Sequence, residues 1–86
     1  MNTFKLTVSS PDGNIFQGDV VKLDVRGVEG ELAVMAGHVP FVTYFVKAPC
    51  IITLEDGSRR SAISEGGLLT VGKNEATLLS GTFRFE

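Results

Sequence analysis

The chain has 86 residues, of which 43% are hydrophobic and 21% are charged, and its formal net charge is -2 at pH 7. This length predicts one folded domain over residues 1–86 with a modest core, and the composition excludes a disordered segment. The slightly acidic balance gives no support for binding nucleic acid, and no apolar run reaches the ~20 residues that a membrane span needs.

Alternating apolar and polar residues predict β-strands in the first two thirds of the chain. The two-residue period of a half-buried strand recurs over 4–9, 21–26 and 50–55. The segment Ser10-Pro11-Asp12-Gly13 matches a type I turn. Asp56-Gly57 predicts a tight hairpin in which both central residues have positive φ. Strands joined by short turns are therefore expected.

The last third continues in the same way. Residues 68–71 and 76–79 are expected to form a second hairpin, and the alternation around Phe83 and Phe85 predicts a last strand. Gly66-Gly67 indicates a bulge or a close approach of two backbones. Seven to ten short strands with turns every 8–12 residues are typical of an all-β fold. We predict a flattened β-sandwich or barrel of about ten short strands without a long helix.

The segment from Gly30 to Pro40 contains two glycines, a proline and the single histidine of the chain, His38. This composition predicts a short strand that leads into a shaped loop displaying His38. The run Val39–Val46 that follows carries no charge. A strand buried on both faces would explain this run, and so would a strand whose outer side chains contact a partner.

The residue pattern gives little support for catalysis. His38 and Cys50 alone cannot build a tetrahedral zinc site, and Cys50 is expected to be a small buried hydrophobe in a reducing compartment. Glu29 and Glu31 share one face of an extended chain, but exposed glutamates near a turn are more often solvated. We predict no catalytic residue, no metal site and no cofactor.

Several motifs in fixed order carry a family resemblance. They are Val8–Gly13, Phe16-Gln17-Gly18, Gly30-Glu31-Leu32, Gly37-His38-Val39-Pro40 and Gly66–Val71. Together they resemble the epsilon subunit of F-type ATP synthases over about Thr3 to Ser80. The resemblance implies the N-terminal β-sandwich domain of that family, in agreement with the predicted strands.

The resemblance implies a non-catalytic rotor subunit. Its partners would be the gamma subunit and the polar loops of the c-ring, so that it helps to couple ion translocation to ATP synthesis and hydrolysis. It would meet the membrane only indirectly, at the cytoplasmic face of a bacterial plasma membrane, as a peripheral part of the complex. The resemblance does not indicate whether the coupled ion is a proton or sodium.

The resemblance also implies which residues meet each partner. The expected c-ring-facing residues are Glu31, which matches the family's acidic ring-facing position, with Glu29 and Leu32. The expected gamma-facing residues are Ser10, His38, Phe41, Val42 and Tyr44.

Members of the family usually continue into a C-terminal helical hairpin that can inhibit ATP hydrolysis. The residues up to Glu86 contain no helical pattern, so this inhibition is not expected of the sequence in hand, which is either a natural short form or the sandwich alone. Two other interpretations stay open. One is a stand-alone β-sandwich that binds a ligand or another protein, and the other is a small enzyme in which Glu29, Glu31 and His38 converge in a cleft.

Overall fold

The computed structural model describes residues 2–86, which form an all-β domain. Its seven strands are β1 (Phe4–Ser10), β2 (Gly13–Gly27), β3 (Gly30–Met35), β4 (Phe41–Leu54), β5 (Arg59–Val71), β6 (Glu75–Leu79) and β7 (Arg84–Phe85). Among residues 2–86 there is no helix with the length and apolar composition that crossing a bilayer requires. The predicted fold class is confirmed.

Five of the strands close into a ring in the order β1, β6, β5, β4 and β2, and β2 pairs again with β1. The pairing of β1 with β6 is parallel, and the other strand pairs are antiparallel. β3 extends the sheet beyond β2, and β7 pairs with β5. β3 and β7 each pair with a single strand and so lie outside the ring.

Three strands are longer than the sequence pattern predicts. β2, β4 and β5 have 15, 14 and 13 residues, so segments expected to be separate strands are continuous. Each long strand changes partners along its length. The first half of β2 pairs with β1, and its second half pairs with β3 and β4, with register shifts between Val20 and Lys22 and between Asp24 and Gly27. These shifts bend the strand around the barrel.

The barrel interior is filled with side chains. The largest fully buried residues are Leu6, Leu23, Ile52, Leu69, Leu78, Val8, Val20, Val25, Val34, Cys50 and Ser64. They come from six of the seven strands and meet in one core. The predicted inward alternation holds for most of them, but Val20 is buried in place of the expected Val21, at the register shift between Val20 and Lys22. The interior is a packed core rather than a ligand cavity.

The pair Gly66-Gly67 lies on β5 where the backbones of β4 and β6 approach closely. A Cβ at Gly67 would lie 3.0 Å from the Leu79 carbonyl carbon and inside contact distance of its oxygen. Gly66 has φ +123°, and a Cβ there would lie 2.8 Å from the carbonyl oxygen of Phe45. The close backbone approach predicted for this pair is confirmed, because a side chain at position 67 would collide with backbone atoms of β6.

The Asp56-Gly57 turn differs from its prediction. The Gly57 N–H donates to the carbonyl oxygen of Leu54 at 3.0 Å, and Gly57 has φ +87°. Asp56 does not have a positive φ, so the expectation that both residues would have one is wrong. Instead, the Asp56 carboxylate accepts the Ser58 N–H at 2.8 Å and lies 2.6 Å from the Ser58 hydroxyl. These hydrogen bonds hold the pKa of Asp56 below its usual value.

The last strand anchors the C-terminal residues to β5. Ala62 pairs with Phe85, and the Arg60 guanidinium lies 3.8 Å from the centroid of the Phe85 ring. The same ring packs edge-on against Phe16 and Phe83, at centroid distances of 6.0 and 5.3 Å. The final strand predicted from the alternation of phenylalanines is therefore present.

Cys50 is buried in the core, as predicted, and burial raises the pKa of its thiol from 9.0 to about 11. The thiolate is the reactive form. We therefore expect iodoacetamide to modify Cys50 very slowly in the native domain at pH 7.5 and rapidly in concentrated urea, as followed by mass spectrometry. Because the folded-state pKa is raised, this group's contribution to stability is constant below pH 9 and declines between pH 9 and 11. If iodoacetamide modifies the native and the denatured domain at the same rate, Cys50 is not buried in the core.

Candidate docking surfaces

The β2–β3 hairpin joins the second half of β2 to the edge strand β3. Gly27 pairs with Gly30 around a two-residue turn of Val28 and Glu29, and Gly30 adopts φ +127°. Val28 is 62% exposed at the tip. Glu29 lies in the turn and not in a strand, so it does not share one extended face with Glu31 as the sequence pattern suggested.

Glu31 is held by an arginine on the neighbouring strand. Arg26 and Glu31 are directly opposite each other in the β2–β3 register. The Arg26 Nη2 and Nε atoms donate to Glu31 Oε1 at 2.9 and 3.3 Å. Both side chains are exposed, so the pair lies on the solvent side of the hairpin.

A hollow of about 220 Å³ lies between this hairpin and the start of β4. Its lining comes from the hairpin residues Gly27, Val28, Glu29, Gly30, Glu31 and Leu32 and from the β4 residues Phe41 and Thr43. Leu32 is half-buried against the core, whereas Glu29 and Glu31 are exposed. Of the three residues predicted to face the c-ring, only the two glutamates are therefore exposed.

The uncharged run in β4 alternates between the core and the surface. Val42 and Tyr44 are 64% and 68% exposed, and Val46 also points outward. Phe45 lies between them and is only 3% exposed, because it points into the core. The run is thus an ordinary two-faced strand whose outer face is apolar, and the purely internal interpretation does not hold.

The outer face of β4 continues across two further strands. Tyr44 pairs with Leu68 on β5, and Leu68 pairs with Leu79 on β6. Leu79 is 46% exposed, and Leu68 is half-buried. We call the exposed apolar surface formed by Val42, Tyr44, Leu68 and Leu79 the apolar row. Neither leucine is predicted from the sequence as part of a docking surface, since only the strand register brings them beside Tyr44.

His38 lies in the loop before the apolar row. Gly37 has φ +81°, and the His38 N–H donates to the Met35 carbonyl oxygen at 3.2 Å, which turns the chain after β3. The imidazole packs 4.9 Å from the Phe41 ring, centroid to centroid. The predicted strand and shaped loop are therefore present, and the half-buried His38 ring is stacked on the first residue of β4.

Ser10 lies at the opposite end of the row. Ser9 pairs with Leu79 in the parallel β1–β6 ladder, so the turn that begins at Ser10 follows directly. The Ser10 hydroxyl accepts the Asp12 N–H at 3.2 Å and contacts the Gly13 carbonyl oxygen at 3.3 Å.

Of the side chains predicted to face gamma, Val42 and Tyr44 lie in the apolar row, and His38 and Ser10 lie at the loops near its two ends. Phe41 is different, because it packs against the core and lines the hollow beside the hairpin.

The structure does not bring Glu29, Glu31 and His38 together in one cleft, as the small-enzyme interpretation requires. Glu29 and Glu31 line the 220 Å³ hollow, but His38 is not part of its lining. In residues 2–86 no three His, Cys, Asp or Glu side chains are close enough to share a metal ion. A second hollow, of about 320 Å³, is lined by Lys47, Glu65 and Arg84 together with Ile63, Ser64 and Thr82. Neither hollow contains a nucleophile paired with a base.

These features define a small closed β-sandwich with a packed interior and two candidate docking surfaces. Residues 3–85 match the family described as "ATP synthase, Delta/Epsilon chain, beta-sandwich domain". The chain belongs to this family, and it corresponds to the N-terminal β-sandwich domain of the epsilon subunit.

Curated relatives carry the same description. The chain is 32% identical over 80 residues to an ATP synthase epsilon chain of Wolbachia pipientis wMel, covering 93% of this chain and 70% of the relative. It is also 32% identical over 78 residues to the ATP synthase epsilon chain of Clostridium acetobutylicum, covering 91% of this chain and 59% of the relative. The relatives are thus longer than the part matched.

Solved structures share the fold. A chain in the cryo-EM structure of the Euglena gracilis mitochondrial ATP synthase (OSCP/F1/c-ring) superposes with a TM-score of 0.92 at 23% identity, covering 99% of this chain and 54% of that one. A chain in the central stalk/c-ring structure of the Tetrahymena thermophila mitochondrial ATP synthase gives 0.77 at 14% identity, covering 93% and 64%. At these identities the comparison establishes the fold.

Proposed function

We propose that this chain acts as a non-catalytic rotor module of an F-type ATP synthase, docking the gamma subunit onto the c-ring. In this role it helps to couple ion translocation to ATP synthesis and hydrolysis as a peripheral part of the complex, at the cytoplasmic face of a bacterial membrane. Family membership and the names of the relatives support the assignment to this complex. The observation that carries the docking role is the exposed apolar row on a barrel whose interior is fully packed.

The apolar row is the proposed gamma-docking surface. Exposed aromatic and aliphatic side chains grouped on a rigid sheet are typical of interface centres. Tyr44 is central in the row and protrudes from a strand held by two neighbours, so its position is set before binding. His38 and Ser10 lie near the two ends of the row and would form its polar rim.

The β2–β3 hairpin is the proposed c-ring-docking surface. It presents two exposed glutamates, Glu29 and Glu31, beside an exposed apolar residue at its tip, Val28. Carboxylates suit a polar loop that carries basic side chains, and such contacts mainly set orientation and association rate. The base of the hairpin pairs with β4, where Gly27 is opposite Phe45, so the two proposed surfaces lie next to each other.

A stand-alone ligand-binding sandwich is the second candidate, and its specific support is weaker. Ligand-binding barrels usually enclose their ligand, whereas this interior is filled by side chains such as Leu6, Ile52 and Leu69. The two hollows lie at the barrel surface and contain no buried charged group. The packed interior therefore favours the rotor module.

A pull-down tests the proposal most directly. The tagged chain is incubated with purified gamma subunit, alone and together with c-ring, from the organism that encodes it. We expect gamma to be retained in both mixtures and the c-ring to be retained best when gamma is present. Adding the chain to vesicles with epsilon-depleted enzyme should restore ATP-driven ion pumping without suppressing ATP hydrolysis. No retention of gamma under either condition would overturn the proposal.

Charge substitution at Glu31 tests the c-ring-docking surface. Glu31→Lys should weaken rotor assembly more than Glu31→Gln does, because it reverses the charge and also places a lysine opposite Arg26. The difference should be on the order of 1 kcal/mol or less, and high salt should reduce it. Binding of the epsilon-depleted enzyme is measured by surface plasmon resonance at two salt concentrations.

Glu75→Lys is the matched control for that experiment. Glu75 is also an exposed strand glutamate, and it pairs with Lys5 on a different side of the barrel. The control should bind like the wild-type chain. If Glu31→Lys and Glu31→Gln bind equally at every salt concentration, Glu31 does not face the c-ring.

A further inference from the structure

We infer that Arg26 is a positioning residue for the c-ring contact, acting through Glu31. The inference rests on the proposed function, since it assigns a role within the c-ring-docking surface. In this arrangement Arg26 fixes one carboxylate oxygen of Glu31 and leaves the other directed to the partner. The hairpin then presents an oriented anion rather than a freely rotating side chain.

The register of the hairpin explains why this pair forms. Gly27 and Gly30 flank the two-residue turn, so Arg26 and Glu31 are the first cross-strand pair that carries side chains. Pairs at this position of a two-residue hairpin are the non-hydrogen-bonded kind, in which side chains approach most closely. The pair is therefore placed by the backbone.

The two hydrogen bonds of the pair use only one of the two carboxylate oxygens of Glu31, and this matters for binding. Arg26 Nη2 and Nε both donate to the same atom, Glu31 Oε1. A fork-to-fork arrangement would use both carboxylate oxygens, and this one does not. In the part of the chain that the structure describes, Oε2 has no hydrogen-bond partner, so it stays available to a donor on a docking loop.

Positioning limits the entropy lost on binding. A free glutamate side chain samples several rotamers, and ordering one at an interface costs part of the binding free energy. Arg26 restricts these rotamers before the partner arrives. The proximity of the guanidinium also places a positive charge beside the carboxylate, which makes the docking surface selective for loops that approach Glu31 from the Oε2 side.

A double-mutant cycle tests this role. The variants are Arg26→Met, Glu31→Gln and the two combined, with binding to epsilon-depleted enzyme measured at low and high salt. We expect Arg26→Met to weaken binding about 3-fold at low salt, as for an exposed ion pair, and much less at high salt. In the Glu31→Gln background, Arg26→Met should have no further effect, because the residue acts only through Glu31.

The charge-swapped variant Arg26→Glu/Glu31→Arg separates positioning from structural support. The swap retains an ion pair across the same two strands, so the melting temperature should match that of the wild type. The carboxylate now lies on β2, and a guanidinium faces the partner. We expect binding no better than that of Glu31→Gln. If the charge-swapped variant binds as well as the wild type, the ion pair only supports the structure of the hairpin.

Lys22→Met is the matched control. Lys22 lies on the same strand and forms a half-buried ion pair with Asp24 at 3.6 Å. It is four residues further from the hairpin, about 13 Å along the strand. This variant should bind like the wild type. An equal loss for Lys22→Met and Arg26→Met would indicate a general charge effect and overturn the inference.

The outcomes separate this inference from the proposed function. If the wild-type chain does not bind the epsilon-depleted enzyme at all, the proposed function is wrong, and the role of Arg26 falls with it. If the wild type binds but Arg26→Met weakens binding to the same extent with and without the Glu31 carboxylate, only the inference is wrong.

Discussion

Replacing Gly67 with alanine is expected to lower the free energy of unfolding by about 3 kcal/mol or more. The added Cβ would overlap with the Leu79 carbonyl group and would also lie 3.0 Å from a ring carbon of Phe45. Backbone atoms of β6 cannot rotate out of the way, so the β5–β6 pairing must separate locally. The measurement is urea denaturation followed by circular dichroism.

Gly81→Ala is the control for this substitution. A Cβ at Gly81 would have no heavy atom within 4 Å, and its backbone does not adopt the left-handed region. We expect the free energy of unfolding to change by no more than about 0.5 kcal/mol. Any small gain in stability would arise because alanine makes the unfolded chain less flexible than glycine does. If Gly67→Ala is as stable as Gly81→Ala, the backbones of β5 and β6 do not approach closely at Gly67.

Neighbouring substitutions in β4 should separate binding from stability. Tyr44→Ala is expected to weaken gamma binding about 30-fold, close to 2 kcal/mol, because exposed aromatic anchors dominate interface energies. Its free energy of unfolding should change by less than about 1 kcal/mol, since the ring is 68% exposed. Calorimetric titration with gamma and urea denaturation measure the two quantities.

Phe45→Ala is the matched control, one residue away on the same strand. Phe45 is 3% exposed, so removing its ring should lower the free energy of unfolding by about 3–5 kcal/mol. Under conditions where the variant stays folded, it should still bind gamma. If Tyr44→Ala leaves gamma binding unchanged, the apolar row is not the gamma-docking surface.

Local patterns in the sequence predict the faces of the strands well. The alternation around Leu6 and Val8 and around Leu23 and Val25 places these side chains in the core, as observed. The reason is geometric, since successive strand residues point to opposite sides of a sheet. The all-β class and the buried Cys50 follow from the same local information.

Features that depend on pairing between distant strands could not be predicted. The apolar row exists because the register places Tyr44 beside Leu68 and Leu68 beside Leu79. Likewise, β4 and β5 run unbroken through Pro49 and Gly66-Gly67, where the sequence suggested separate strands. Tertiary pairing determines both outcomes, and a single sequence carries no direct information about it.

The hairpins could be predicted in part, because the sequence marks the position of a turn but not its conformation or its cross-strand pairs. Asp56-Gly57 correctly marks a turn, but its conformation follows from the Asp56 hydrogen bonds to Ser58 rather than from the dipeptide alone. Similarly, a turn near Gly30 is foreseeable, whereas the Arg26–Glu31 pair requires knowing that the loop has two residues. One residue more in that loop would move Glu31 away from Arg26.

The parallel pairing of β1 with β6 has a consequence for synthesis on the ribosome. Lys5 pairs with Glu75 and Ser9 with Leu79, so the ring of strands cannot close until β6 has emerged from the exit tunnel. Until then, β1 can pair only with β2, and its other edge stays open to association with other nascent chains. Contacts between such distant residues also slow folding. Fast translation past β5 would shorten the time during which that edge is exposed.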